Sequence, residues 1–161
     1  MVSNLDDKEN IMRTFKRIKL DPPKQSDFKR LLEMARPEDK LCIALSSLYG
    51  LRRSEIAGLC GDDILWDKHS IIVHSDRIKT TDMEWVRKEM PHDSKSIRRI
   101  ELAPEVMDMI PHVGQKDFVI RLNPDGITYR FERLKKKAKV TCHFHELRNY
   151  SDSIRSEIIG S

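Results

Sequence analysis

Long apolar runs are missing from this sequence. The largest apolar patches, such as Leu-Cys-Ile-Ala-Leu at 41–45, are core-helix sized and far short of the roughly 20 residues that cross a bilayer. The N-terminus has no charged-then-apolar secretion signal, so no membrane partner is expected and the default compartment is the cytoplasm. Cysteine is sparse: Cys42, Cys60 and Cys142 stand far apart with no CxxC spacing. An odd, scattered set excludes a disulfide framework and a structural zinc site, so reduced thiols are expected. There is no internal repeat and no low-complexity tract. A strong excess of one charge is lacking too: 30 basic residues face 26 acidic ones, a net +4, with an isoelectric point near 9.0. That balance permits a nucleic-acid partner without requiring one.

What is present is a chain of 161 residues, 39% hydrophobic and 35% charged, enough for one globular domain with a real core. Residues 1–24 are polar, end beside Pro22-Pro23 and read as a leader or linker; 25–161 form the domain. Ser26 is a candidate N-cap for a helix carrying Phe28, Leu31, Leu32 and Met34 at a period near 3.6. A helix over 38–49 is apolar on most faces, so it is expected to be central and buried, with Gly50 ending it. A short helix is expected over 54–59. The period then changes to two: 70–78, 84–90 and 97–102 read as strands of a three-stranded antiparallel meander. Helices return after Pro104 to about 110, after the turn Asn123–Gly126 over 127–138, and from His145 to about 159. The class is α+β, mostly α, with helices around a small antiparallel meander.

Three groups of residues could carry chemistry. Arg130, Arg133, Lys135, Lys136, Lys137 and Lys139 crowd one helix and could meet phosphates. In Gly50-Leu51-Arg52-Arg53-Ser54-Glu55-Ile56, an arginine sits between two helices, where rigid supports can aim it into a cleft. In His143-Phe144-His145-Glu146-Leu147-Arg148, His145 and Arg148 share a face at i,i+3. A guanidinium binds phosphate bidentately, and an imidazole can move a proton near neutral pH. His143 and His145 have no nearby third ligand, so no metal and no cofactor is expected.

The order helix, Gly-Leu-Arg-Arg-Ser-Glu-Ile, meander, helix, His-Glu-Leu-Arg-Asn-Tyr resembles the tyrosine recombinase (phage integrase) family from the Ser26 helix onward. The first stretch, followed by Gly61-Asp62-Asp63-Ile64, is similar to the family's first-arginine box, and His145–Tyr150 to its second. The resemblance implies that Arg52 and Arg148 clamp the scissile phosphate and stabilise its pentacoordinate transition state. It implies that His145 transfers or orients a proton, that Glu55 holds the arginine loop, and that Arg53 is structural or a backbone-phosphate contact. Double-stranded DNA is the implied partner, in a prokaryotic cytoplasm or nucleoid.

The sequence departs from the family pattern in three places. The family's catalytic lysine falls in a Pro-Lys-Thr turn, and His92 occupies that place here; Lys95 lies three residues on, and Lys79 is a weaker candidate. Asn149 stands where a second histidine is usual. None of Tyr49, Tyr129 and Tyr150 matches the position of the nucleophilic tyrosine, so the expectation is a partial catalytic domain, inactive alone, that self-associates or pairs with a full-length recombinase. The alternative is a degenerate, non-catalytic DNA-binding or integrase-interacting module.

Overall fold

The computed structural model describes residues 24–160; the leader expected over 1–24 lies, except for Lys24, outside them. Helix α1 (Gln25–Met34) buries Phe28, Leu31 and Leu32 on one stripe. Ser26 is not its cap. The cap is Lys24, so the helix starts two residues earlier, and Asp27 accepts the Lys24 N–H at 2.8 Å, satisfying an end donor that the helix itself cannot. Pro37 opens α2 (Pro37–Tyr49) at its first position, where a missing N–H costs nothing. Residues Leu41 to Ser47 of α2 are all buried, so the apolar patch noted above is the central helix of the core.

Gly50 ends α2 in the left-handed region at φ +73°, its N–H reaching back to Leu45 O and Ser46 O. Leu51 is 1% exposed and pins the chain as it leaves. Helix α3 (Arg53–Gly58) follows at once. A side chain at Gly58 would meet Ser75 O at 3.0 Å and Asp76 C at 3.1 Å; a glycine lets α3 approach the strand that carries Ser75 this closely.

The strands are β1 (Ile64–Leu65), β2 (Ser70–Val73), β3 (Ser75–Lys79), β4 (Trp85–Glu89) and β5 (Arg98–Glu101). The expected class holds, but the pairing is not a meander. One antiparallel sheet runs β1-β2-β5, and β3-β4 is a separate hairpin. Ile71 opposes both Ile64 and Ile100. The strand expected over 70–78 is broken at His74, whose carbonyl accepts the last hairpin bond, from Met90 N–H at 2.8 Å. Pro91 has no N–H to continue β4. The chain therefore crosses over 91–97 and pairs β5 with β2.

Asp63, 3% exposed, secures this crossing. It accepts from Cys60 N–H at 2.9 Å, from Arg87 Nη2 at 3.0 Å, and lies 2.6 Å from His74 Nε2. Arg87 also donates to Gly58 O at 2.9 Å, so the hairpin is tied to the end of α3.

Helix α4 (Pro104–Met107) is short. Helix α5 (Pro124–Ala138) begins inside the expected turn: Asn123 caps it by accepting Gly126 N–H at 2.8 Å. The chain then forms a 3-10 stretch, Phe144–Tyr150, and α6 (Ser151–Ile158), rather than one helix from His145. Phe131 and Phe144 pack edge to face at 5.4 Å, and one core joins α1, α2, α3, α5 and α6. All three cysteines are buried; burial raises each thiol, Cys142 to about 11, so none is a ready nucleophile.

Ile56 is fully buried in this core and Met34 is 47% exposed. We expect Ile56→Ala to cost ~2–5 kcal/mol in urea unfolding and Met34→Ala no more than ~0.5 kcal/mol. Similar losses for the two would contradict the packing described.

Candidate phosphate-binding site

The centre of the site is the α2–α3 junction. Arg52 is the residue that caps α3, and its N–H donates to Glu55 Oε1 at 2.9 Å. Glu55 is 2% exposed. Its other bonds come from Arg98 on β5, Nη1 to Oε2 at 2.9 Å and Nη2 to Oε1 at 3.2 Å. Burial by itself would raise the Glu55 pKa. The bonds from Arg98 and the Arg52 N–H, with the charges of both arginines, outweigh it and hold the carboxyl below its usual range. The Arg52 backbone is thus fixed, while its guanidinium has no carboxylate partner among the described residues.

Arg148 reaches the same place from the far end of the chain. Its Nη2 donates to Gly50 O at 2.8 Å, and a side chain at Gly50 would stand 3.9 Å from its Nε. His145 and Arg148 lie on the 3-10 stretch, where residues three apart eclipse, so the shared face expected of an α-helix is kept. Arg52, Arg148, His145, His143 and Arg53 line one open cleft of about 710 Å³, floored by Leu51 and Phe144. An adjoining hollow of about 250 Å³ is lined by Gly50, Arg52, Glu55, Lys95, Ser96, Arg98 and Arg148.

Lys95 is therefore beside both arginines, carried on the 91–97 crossing, and it too lacks a carboxylate partner among the described residues. His92 is exposed and lines neither hollow. Lys79 is at the hairpin end, 5.8 Å over the Trp85 ring. Arg98 was not among the residues singled out in the sequence, because its partner Glu55 is distant along the chain and cannot be read from spacing.

The basic run does not act as one face. Arg130 was expected to meet phosphate. Its guanidinium instead joins Glu38 at 3.2 Å and Asp39 at 3.1 Å, an internal tie of α5 to α2. Lys135, expected likewise, is 9% exposed and sits 3.0 Å from Glu132 Oε2 and 3.4 Å from His143 Nδ1. Burial would raise the Glu132 pKa; Lys135 and His143 reverse this and hold it low. Arg53 donates to Thr128 Oγ1 at the cleft edge. Lys136 and Lys139 are exposed, while Arg133 and Lys137 line a different hollow.

Among the described residues, no tyrosine lines the cleft or its annex. The Tyr49 hydroxyl accepts Ala103 N–H at 2.8 Å. Tyr150 packs on Phe28 at 5.6 Å, and Tyr129 lies exposed elsewhere on α5.

Comparison with known proteins places this geometry in a fold. No family model matches the chain, and neither does any curated protein sequence. Solved structures do. The integrase of mycobacterium phage Brujita superposes with a TM-score of 0.59 at 19% identity, over 81% of this chain and 42% of that one. The Tn1549 transposon integrase, solved in complex with transposon right end DNA, gives 0.63 at 20% identity, over 81% of this chain and 52% of that one. A second Tn1549 integrase structure, with a circular intermediate DNA, gives 0.54 at 22% identity over 75% of this chain and 45% of that one. The chain thus spans about half the length of the structures it matches. Its fold is that of a phage or transposon integrase (tyrosine recombinase) catalytic domain, with the helices and small antiparallel sheets expected of it.

Glu55→Gln removes the anionic partner of Arg98. We expect a loss of ~2–3 kcal/mol at pH 7, below the cost of breaking a fully buried pair because Arg98 is a third exposed. The folded pKa is depressed, so this stability is present above the unfolded value of 4.5 and disappears as pH falls through the folded one. Urea midpoints of wild type and variant should converge below pH 4.5; a gap that stays constant into acid would remove the charge from the explanation.

Proposed function

We propose that this chain is a partial catalytic domain of a site-specific tyrosine recombinase, and that it grips double-stranded DNA at the phosphate to be cut. The observation that carries the reading is three cations without carboxylate partners among the described residues, Arg52, Arg148 and Lys95, around one hollow, with His145 in the adjoining cleft. Mutual repulsion makes such an arrangement unfavourable unless an anion is to occupy it. Two guanidiniums held by rigid supports suit a phosphoryl group whose negative charge grows in a pentacoordinate transition state.

In this reading Arg52 and Arg148 clamp the non-bridging oxygens, and His145 orients or moves a proton beside them. Lys95 fills the lysine role, protonating the leaving 5′ oxygen, in preference to His92. The lysine is then displaced along the crossing rather than lost, which favours a working clamp over a degenerate module. Arg53 takes a neighbouring phosphate at the cleft edge, and exposed Lys136 and Lys139 add to the attractive field. In the whole recombinase, acting in a prokaryotic cytoplasm or nucleoid, a tyrosine hydroxyl would attack this phosphate and become joined to the 3′ end, without metal or ATP. No tyrosine among the described residues lines the cleft, so the fragment binds without cutting.

Fluorescence anisotropy with a labelled duplex across a salt series tests this. Each phosphate contact removed should flatten the slope of log K against log salt by about 0.9. The Arg52→Ala, Arg148→Ala double variant, which frees the one clamped phosphate, should therefore lose about 0.9 of slope, and Lys95→Ala, which leaves that phosphate held by both arginines, less than that. His92→Ala and Arg130→Ala should leave the slope unchanged, the latter weakening only stability. An unaltered slope in the double variant would sink the clamp.

A further inference from the structure

The exposed flank of α5 away from the cleft borders a second concave surface that the phosphate clamp does not use. At 100° per residue, Thr128 and Glu132 face the cleft, whereas Tyr129, Arg133 and Lys137 form an i, i+4, i+8 stripe on the other flank. Beside that stripe lie two adjoining hollows, about 370 Å³ and 580 Å³, which share Arg36, Leu122 and Arg130 in their walls and so form one groove. The groove wraps the N-terminal end of α2. The clamp is at the other end of that helix, about 20 Å away at 1.5 Å per residue.

The groove has an apolar floor and a cationic rim. Leu41, Met109, Val113, Phe118 and Leu122 line it. Tyr129, 62% exposed, and Met34, 47% exposed, stand at one end, with the Arg133 guanidinium 5.7 Å from the Tyr129 ring centroid. Glu38 and Asp39 also lie in the wall, but Arg130 neutralises one of the two charges. Against the one remaining stand the side-chain charges of Arg36, Arg121, Arg133 and Lys137, none ion-paired with a carboxylate among the described residues; only the Arg121 backbone N–H meets Glu38 Oε2, at 3.1 Å.

We propose that this groove is a docking site for a partner protein segment that alternates acidic residues with apolar anchors. An extended segment of that kind would seat its apolar side chains on the floor, because alternate residues of an extended chain share one face. Its carboxylates would meet Arg36, Arg121, Arg133 and Lys137. A duplex is the poorer occupant, because phosphates gain nothing from an apolar floor, whereas volumes of this size are those of peptide and ligand clefts. The inference is independent of the phosphate clamp, since no residue of the groove lines the cleft.

Three short fluorescein-labelled peptides test it against the full chain. The first alternates glutamate with leucine and phenylalanine, the second has lysine for each glutamate, and the third has serine for each apolar residue. Only the first should bind, more weakly as salt rises. The double variant Arg36→Glu, Arg133→Glu, at exposed positions that the fold tolerates, should lower its affinity roughly tenfold or more. The Arg52→Ala, Arg148→Ala variant should leave it unchanged. Equal binding of all three peptides, or of none, would overturn the proposal. So would competition by duplex DNA that is itself lost in Arg36→Glu, Arg133→Glu, which would make the groove a DNA surface. A dimer in light scattering that blocks the peptide and dissociates in the same variant would assign the groove to a second copy instead.

Discussion

A carboxylate taken out of water has to find its hydrogen bonds inside the protein. At Glu55 the bonds it finds organise the site. One comes from the Arg52 N–H and sets the backbone from which that guanidinium projects. Two come from Arg98, which brings the start of β5 against α3. Arg98 also donates to Ser96 O at 2.6 Å, so the same contact closes the end of the crossing that carries Lys95. A single buried charge thereby sets the relative position of two cations that would otherwise repel each other.

The second organising constraint is where α2 stops. Its left-handed Gly50 turns the chain, buried Leu51 anchors it, and the free Gly50 carbonyl becomes the acceptor for Arg148. Helix-end groups that are left without internal partners are used here to draw a distant arginine onto the first one. Asp63 plays the matching part for the hairpin, holding His74, Arg87 and the Cys60 N–H together, so that the strand break and the crossing are fixed.

Charge on α5 is sorted by burial rather than by sequence. Six cations crowd the helix and its end, yet Arg130 ties α5 to α2, Lys135 sits beneath Glu132 and His143, and Arg133 and Lys137 border the groove at the far end of α2. One helix thus serves the core, the cleft and a separate surface on different flanks. The fold is shared with integrases at about one-fifth identity, which is what a fold held by core pattern permits; activity depends on the site placed upon it.

Local patterns along the chain were enough to set most of the elements and the chemistry on offer. Period marked the central helix, the body of the helix over 127–138 and the presence of short strands, and glycine marked the stop at Gly50, because these depend on neighbours within one or two turns. The two arginine boxes were legible as short local patterns. The folded chain had to supply the pairing of β5 with β2, since strand partners are chosen by burial and by Pro91, not by order along the chain. It alone decided that Lys95 and not His92 stands beside Arg52 and Arg148, that Arg98 holds Glu55, and that Arg130 and Lys135 are ion-paired with Glu38, Asp39 and Glu132. Each of these is a contact between residues distant in sequence, and local spacing carries no information about such a contact.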